Sequence, residues 1–565
     1  MSNKIINQLR KKFNKFQIDG YVIPKNDEFF SEFSNKDRLN ICSNFSGSAG
    51  YAVILKKKNF LFVDGRYTIQ AKLESGKNFK ILDYNKIINC KMFQNLTLGI
   101  DPSLFTSNQI KKFFRKNSKI KQINENLVDM ITSNTRFKSK PFFSLNDKIV
   151  GENYIKKINK VANYLKKKKS DFLFVSAPEN VAWLLNIRGT DNPNSPIPNC
   201  RLIVSNNKKI FIFSNKRNLL RLIKERKIKK SQIIDPRNFE KFFNKLDKGK
   251  IIIDRKSCSI FNENIIKKNF KILKFQDPIY QLKSIKNSTE INNMINAHIS
   301  DGVAVTKFIH WITVINKKRI TEFEAQKKLE NFRRQNKRYL YPSFNTIAGT
   351  GSNGAIVHYR ANKKKAKLIN KKDIFLFDSG GQYKYGTTDV TRTICFSKPK
   401  KIIKDIFTKV LKGHIAVVTA DLIKNPNGMM IDRLARKELK KNNLDYAHGT
   451  GHGVGFFLNV HEGPQSLSKF NKIKLKEGMI LSNEPGFYKK NKFGIRIENL
   501  IYVKNIKNKI CFENLTLAPI DKELINFDSL NTREKSYLFE YHLKVYMTIS
   551  KYLSNTQKKW LASFI

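Results

Sequence analysis

At Asp277-Pro278 the texture of this chain changes, and the change rules out one architecture repeated from end to end. Before it, short apolar runs alternate with Lys-rich amphipathic stretches, twice over. Gly20 to Ile23, Tyr51 to Leu55 and Phe60 to Val63 read as strands in a first stretch. Asp171 to Val175, Leu202 to Val204, Ile210 to Phe213 and Ile251 to Ile253 read as strands in a second, which begins near Phe142. No clear sequence repeat relates the two, but their similar size and character predict related α/β folds. The Asn- and Pro-rich loop Asp191 to Pro198 is expected to be irregular. After Pro278, Asn287-Ser-Thr-Glu290 offers a helix N-cap, and Ile291, Met294, Ile295, His298, Ile299 and Val303 follow at helical spacing. A second helix begins at Thr321, with Glu324 completing a capping box. From Tyr341 to Glu498 strands and Gly-rich turns dominate, interrupted by a helical stretch around Ile403 to Thr419. Leu515 to Ile565 adds one more helix through Leu538, His542, Val545 and Ile549. A chain of 565 residues exceeds what one hydrophobic core supports, so several domains are expected.

Charge narrows the function classes less than its size suggests. The sequence has 108 Lys and Arg against 46 Asp and Glu, a formal net charge of +62, which raises nucleic-acid binding as a role. The lysines, however, are spread over nearly every segment together with Asn and Ile, with no basic stripe beside stacking aromatics. That spread matches A/T-rich codon usage, and runs such as Lys166 to Lys169 become solvated helix faces. We expect no dedicated nucleic-acid partner, only non-specific anion affinity at low salt. A mean hydropathy of −0.46 argues against a membrane protein, and no apolar stretch approaches the ~18 residues that crossing a bilayer requires. Met1 to Gln17 does not read as a secretory signal. Cys42, Cys90, Cys200, Cys258, Cys395 and Cys511 are scattered with no C-x-x-C pair, as suits a reducing compartment. These features predict a cytoplasmic protein.

All eight histidines fall after residue 297, so chemistry that needs imidazole belongs to the last part of the chain. There, Phe375-Leu-Phe-Asp378 runs into a Gly-rich turn and returns through Asp389-Val-Thr-Arg392, so that an antiparallel pairing can bring the two carboxylates to one point. Alone, this could be a pair of turn aspartates. His448-Gly-Thr-Gly-His452 then sets two imidazoles among glycines, a backbone suited to close approach around a ligand. His461-Glu-Gly-Pro follows, and Asn483-Glu484-Pro and Ile495-Arg496-Ile-Glu498 place two more acids at the ends of apolar strands. Acids are rarely buried unless paired or metal-bound, so four of them with a histidine are difficult to explain as packing. Four carboxylates match two divalent cations in charge, and an oxygen-rich set with one nitrogen donor favours manganese or a similar hard ion. Two such ions would share a water and hold it as a hydroxide aimed at a carbonyl. Two weaker signals carry less. Gly349-Thr-Gly-Ser-Asn-Gly354 satisfies G-x-G-x-x-G but precedes the strand-like Ala355 to Tyr359, so it is taken as a turn. His298, His310, His414 and His542 lie in helical patterns, and they and Trp183 are expected to be structural.

The order Asp, Asp, His, Glu, Glu with these flanks resembles the pita-bread metallopeptidases, the M24B family of methionine aminopeptidase, prolidase and aminopeptidase P. Ser352-Asn-Gly-Ala-Ile-Val-His358-Tyr, the 378 to 394 segment, His448 to Gly463 and Glu513-Asn-Leu-Thr-Leu-Ala-Pro519 are similar to its three-domain cytosolic aminopeptidase P branch. Asn44 to Gly50, Val63-Asp-Gly-Arg66-Tyr and Val181-Ala-Trp183 to Gly189 resemble the creatinase-like N-terminal domains, so the likeness spans essentially the whole chain. The resemblance implies an α/β and α+β chain: creatinase-like domains over 1–137 and 138–281, a pita-bread catalytic domain over 282–505 and a C-terminal extension over 506–565 packed on it. It implies that Asp378 binds one metal, Asp389 and Glu498 bridge both, and His452 and Glu484 complete the other. It also implies Glu484 as proton acceptor, His358 and His461 as substrate and oxyanion contacts, His448 lining the pocket, and Tyr488 and Arg496 near a proline site. The implied activity is removal of the first residue from peptides with proline second, by a homodimer. Prolidase- or creatinase-like specificity, or a non-catalytic binding module on the same fold, are the alternatives; the intact ligand set disfavours the last.

Overall fold

The apolar runs of the N-terminal half become central strands buried on both faces, as the β-branched and aromatic character of Tyr51-Ala-Val-Ile-Leu55 and Phe172-Leu-Phe-Val175 requires. The computed structural model describes residues 2–88, 90–114, 118–132, 139–314 and 319–565. The chain divides into two units, Met1–Ile279 and Tyr280–Ile565. The first unit holds two six-stranded sheets. In spatial order, the first sheet is Lys80–Asp83, Asn59–Val63, Tyr51–Leu55, Gly20–Pro24, Leu96–Ile100 and Ser118–Gln122. The second is Ile233–Ile234, Ile210–Phe213, Arg201–Ser205, Phe172–Val175, Gly249–Ile253 and Phe270–Leu273. Across each sheet the pairings run parallel, antiparallel, antiparallel, parallel, parallel. The two halves therefore share a topology that no sequence repeat announces. The expected division at residues 137 and 138 lies outside the described residues. The loop 191–198 contains no regular element, and Trp183 is buried with the Lys157 ammonium 4.0 Å from its ring centre.

The second unit sandwiches short sheets between helix pairs. Helix Ser288–Val314 starts at Asn287, whose side chain accepts from the Glu290 N–H while Glu290 accepts from the Asn287 N–H. Helix Glu322–Arg334 begins with the Thr321–Glu324 capping box. Val305, Phe308, Ile309 and Ile312 of the first pack with Ala325 and Leu329 of the second onto Ala348, Phe375, Phe377 and Val390 of a three-stranded sheet. Helices Lys401–Val418 and Gly428–Lys440 cover a five-stranded sheet in the same way, through Val417, Ile431 and Ala435 against Leu467, Leu481 and Ile501. Helix Thr532–Ile549 buries Leu538, Tyr541, Val545 and Ile549 in a core shared with Phe407, Leu411, Ile495 and Ile497. His298, His414 and His542 are buried and His310 packs 5.3 Å from the Trp560 ring centre, all at a distance in sequence from the Gly-rich segments.

Three expectations need correction. Helix Gly428–Lys440, capped by Asn427, occupies a stretch taken as strands and turns; Ile431, Ala435 and Leu439 give it a buried face. Helix Asn555–Ala562 follows the single C-terminal helix expected. Ala355 to Tyr359 is no strand: Gly351–Ala355 forms a 3₁₀ turn, because Gly351 takes the left-handed conformation at φ +51 directly after strand Ile347–Thr350.

Candidate active site

Sheet register decides where the acids point. Strand Phe375–Ser379 pairs antiparallel with Val390–Ile394, setting Asp378 opposite Thr391. Between them a small hairpin, Gly381–Tyr383 with Gly386–Thr387, turns the chain, so Asp389 enters at the start of the returning strand beside Asp378. From the other half of the unit, His452 lies on strand Gly451–Gly453, Glu484 directly follows strand Ile480–Asn483, and Glu498 bridges Thr391. Gly451 is required here: a Cβ at that position would lie 1.9 Å from the Ser482 carbonyl oxygen. The glycine thus lets His452 approach the strand that delivers Glu484.

The donors converge. Single ligand atoms of Asp389, His452 and Glu498 all lie within 4.8 Å of one another. His452 Nε2 is 3.5 Å from Asp389 Oδ2 and 3.7 Å from Glu484 Oε1. His452 Nδ1 donates to the Gly453 carbonyl at 2.9 Å, which leaves Nε2 as the ring nitrogen that faces the acids. Asp378 joins through Arg496, whose Nη2 donates to Asp378 Oδ2 at 2.6 Å and whose Nε donates to Thr391 Oγ1 at 3.1 Å. The Thr391 hydroxyl in turn donates to Glu498 Oε2 at 2.7 Å. Asp378 Oδ1 and Asp389 Oδ1 are buried and have no hydrogen-bond partner among the described residues. Burial, and then the neighbouring acids, push Asp389 and Glu498 well above the ordinary carboxylate range. Burial also raises Asp378, against the pull of Arg496. Burial pushes Glu484 upward too, but the basic side chains around it, with the fixed charge of Arg496 among them, outweigh it and hold that acid below its ordinary value. Orphaned carboxylate oxygens beside an inward-facing imidazole nitrogen fit divalent cations, since the Arg496 guanidinium brings one positive charge against four acids.

The walls are equally ordered. His448 Nδ1 donates to the Gly449 carbonyl, and its Nε2 accepts from the Tyr488 hydroxyl at 2.9 Å. Arg496 Nη1 donates to the same hydroxyl oxygen at 2.5 Å. Burial lowers the His448 pKa to about 4, so the ring is neutral. The His461 ring lies edge-on to His452, centres 4.3 Å apart, and is exposed, so this side of the cluster opens to solvent. His358 is half-buried in the turn after Gly351–Ala355, next to Val357, whose carbonyl lies 3.5 Å from Arg496 Nη2. Arg496, expected near a proline site, makes its strongest contacts to Asp378 and Tyr488. Sequence reasoning gave no role to Thr391, to Ser482, which donates to Glu484 at 3.2 Å, or to Arg436, which donates to the Tyr446 and His448 carbonyls. Arg436 lies on the flank of the stripe formed by Ile431, Ala435 and Leu439, so helical spacing alone would not have marked it.

Two helix-backed sheets bring four acids and one imidazole together, as a metal-dependent enzyme centre requires. Residues 292–505 match the model of metallopeptidase family M24, and 508–563 match the C-terminal region of that peptidase. Residues 5–130 and 132–290 each match a creatinase/prolidase N-terminal domain. Xaa-Pro aminopeptidase 1 of Dictyostelium discoideum is 35% identical over 608 aligned positions, covering 100% of this chain and 96% of the relative. A probable Xaa-Pro aminopeptidase P of Laccaria bicolor is 35% identical, covering 98% and 92%. The crystal structure of a Caenorhabditis elegans X-prolyl aminopeptidase, described as a cytosolic enzyme with a di-nuclear active site, superposes with TM-score 0.92 at 29% identity over 100% of this chain and 99% of that one. A prolidase from Thermococcus sibiricus aligns over 98% of its length but only 65% of this chain, with TM-score 0.53 at 25% identity. The chain belongs to metallopeptidase family M24, with two creatinase-type domains ahead of a pita-bread catalytic domain. No helix among the described residues is long and apolar enough to cross a membrane.

Proposed function

We propose that this protein is a cytoplasmic Xaa-Pro aminopeptidase that takes two divalent cations, by preference manganese, and releases the first residue from peptides with proline second. The observation that carries this reading is the meeting of Asp378, Asp389, His452, Glu484 and Glu498, with orphaned oxygens on both aspartates, in a chain whose full-length relatives bear that name. Asp378 would hold one ion, Asp389 and Glu498 both, and His452 and Glu484 the other. Bound divalent ions polarise a carbonyl and lower the pKa of water at neutral pH.

The chain's own residues supply the rest. Glu484, held below its ordinary pKa with the Arg496 charge nearby, is suited to take a proton as the peptide bond is attacked. His461, exposed beside His452, and His358 would contact the substrate, where an imidazole N–H can stabilise charge growing on the carbonyl oxygen. His448, neutral and held by Tyr488, shapes the wall, and Arg496 anchors Tyr488 to Asp378. An X-Pro amide has no N–H, so its recognition rests on a shaped wall for the ring, and Tyr488 with Arg496 provide one. The 65% overlap with a prolidase favours a longer-peptide aminopeptidase over a dipeptidase, since the additional third of the chain has its counterpart in the aminopeptidases. We extend the reading to a homodimer, which light scattering checks.

Chelation with EDTA abolishes cleavage of an X-Pro tripeptide, and added Mn2+ restores it. Asp389→Ala removes activity by more than the ~10–100-fold that loss of a ligand's outer partner costs. Preferential cleavage of an X-Pro dipeptide, or full activity in Asp389→Ala, refutes the assignment.

A further inference from the structure

Arg392 is almost fully buried, and no carboxylate is among its hydrogen-bond acceptors. One edge of its guanidinium faces the metal-ligand strands: Nη1 donates to the Thr391 carbonyl at 2.8 Å and to the Glu498 carbonyl at 2.7 Å. Those two residues form a backbone bridge between the two segments, with the Glu498 N–H donating to the Thr391 carbonyl at 3.1 Å. One nitrogen thus clamps the point at which the segment carrying Asp389 meets the segment carrying Glu498. The other edge faces the C-terminal extension. Nε donates to the Pro519 carbonyl at 2.9 Å, and Nη2 reaches the Ala518 carbonyl at 2.8 Å and the Tyr541 hydroxyl at 2.9 Å. The Tyr541 hydroxyl donates onward to the Ala518 carbonyl at 2.8 Å. Tyr541 stands on helix Thr532–Ile549, which contributes no donor to the metal cluster.

We propose that Arg392 and Tyr541 are positioning residues of the metal centre, through which the C-terminal helix sets the spacing between Asp389 and Glu498. A buried guanidinium whose N–H groups all end on fixed carbonyls and hydroxyls is held rigidly, because each bond broken leaves a desolvated donor. Glu498 is therefore aimed by its own backbone as well as by the Thr391 hydroxyl. This gives the extension a task in the reaction beyond covering a core. The inference rests on the metal reading above, but not on the proline specificity.

The test is Mn2+ titration of the metal-free full chain, by calorimetry and by the electron paramagnetic resonance of the bound ions. Tyr541→Phe keeps the ring and its packing and removes one acceptor. Its Mn2+ affinity is expected to fall about tenfold, at the lower edge of the ~10–100-fold range for partners of ligands, with an altered resonance spectrum. Arg392→Lys keeps the charge but cannot span both edges, and is expected to lose more. A lower melting temperature in Tyr541→Phe with unchanged Mn2+ affinity and spectrum overturns the proposal, and this holds even if Arg392→Lys does not fold. Wild-type protein that binds Mn2+ but leaves X-Pro peptides intact sinks the substrate reading alone.

Discussion

Thr391 shows how much one hydroxyl can organise at this site. It accepts from Arg496 Nε and donates to Glu498 Oε2, so it links the cation that holds Asp378 to the acid opposite. Valine has nearly its shape. Thr391→Val therefore leaves the packing and strands two buried polar groups, at a cost of about 1–3 kcal/mol each at most. We expect a lower melting temperature in EDTA and a weaker response of that temperature to added Mn2+; unchanged values in both would show that the relay is idle. Thr391 sits inside the Asp389-Val-Thr-Arg392 motif in plain view, yet nothing in its spacing distinguishes it from an ordinary strand threonine. Only the register Asp378 opposite Thr391, and the bridge to Glu498, give it a partner on each side.

Elements were legible where a periodic pattern and a cap coincide. The helices that open at Asn287 and Thr321 follow from their capping boxes and apolar spacing. Helix Gly428–Lys440 was obscured by its basic residues and by glycines on both sides, and it matters for the site because Arg436 on it holds the carbonyl of His448. Helix Thr532–Ile549 has a pH-sensitive seat. His542 Nε2 accepts the Ile520 N–H at 3.1 Å, and burial, with Arg392 and Lys522 nearby, lowers its pKa to about 3. The unfolded chain binds this proton below about pH 6.5 and the folded chain does not, so stability is complete above that pH and declines as pH falls toward 3. The loss from this group is about 2 kcal/mol by pH 5. Urea unfolding at pH 7 and pH 5 should show it, and His542→Gln should shrink the difference by about that amount; an undiminished difference in the variant would assign this part of the pH dependence elsewhere.

For the molecule as a whole, the charge of +62 makes a prediction of its own. If the lysines are a dispersed solvated coat, RNA retained on a filter at about 20 mM salt should be released by about 0.3 M, because such binding falls steeply with log salt. Retention that ignores salt would point to a built nucleic-acid surface. Cleavage of an uncharged X-Pro peptide should change little over the same range, since Asp378, Asp389, Glu498 and Arg496 are buried from screening ions. The two N-terminal sheets make a related point about whole-chain architecture. Their shared strand order and direction pattern were anticipated only as similar texture, because many sequences satisfy one pattern of buried strands.

Local chemistry settled the residue types in advance: an oxygen-rich donor set, glycines where backbones must touch, caps at helix starts and apolar runs for central strands. These depend on each residue and its near neighbours, which a linear reading contains. Which donor faces which was decided by tertiary structure. The 3.5 Å separation of His452 from Asp389, the Arg496 bridge to Asp378 and the Arg392 clamp on Glu498 join residues 63 to 118 positions apart. Such distances arise from sheet register and from the packing of a C-terminal helix, and no periodicity along the chain encodes either.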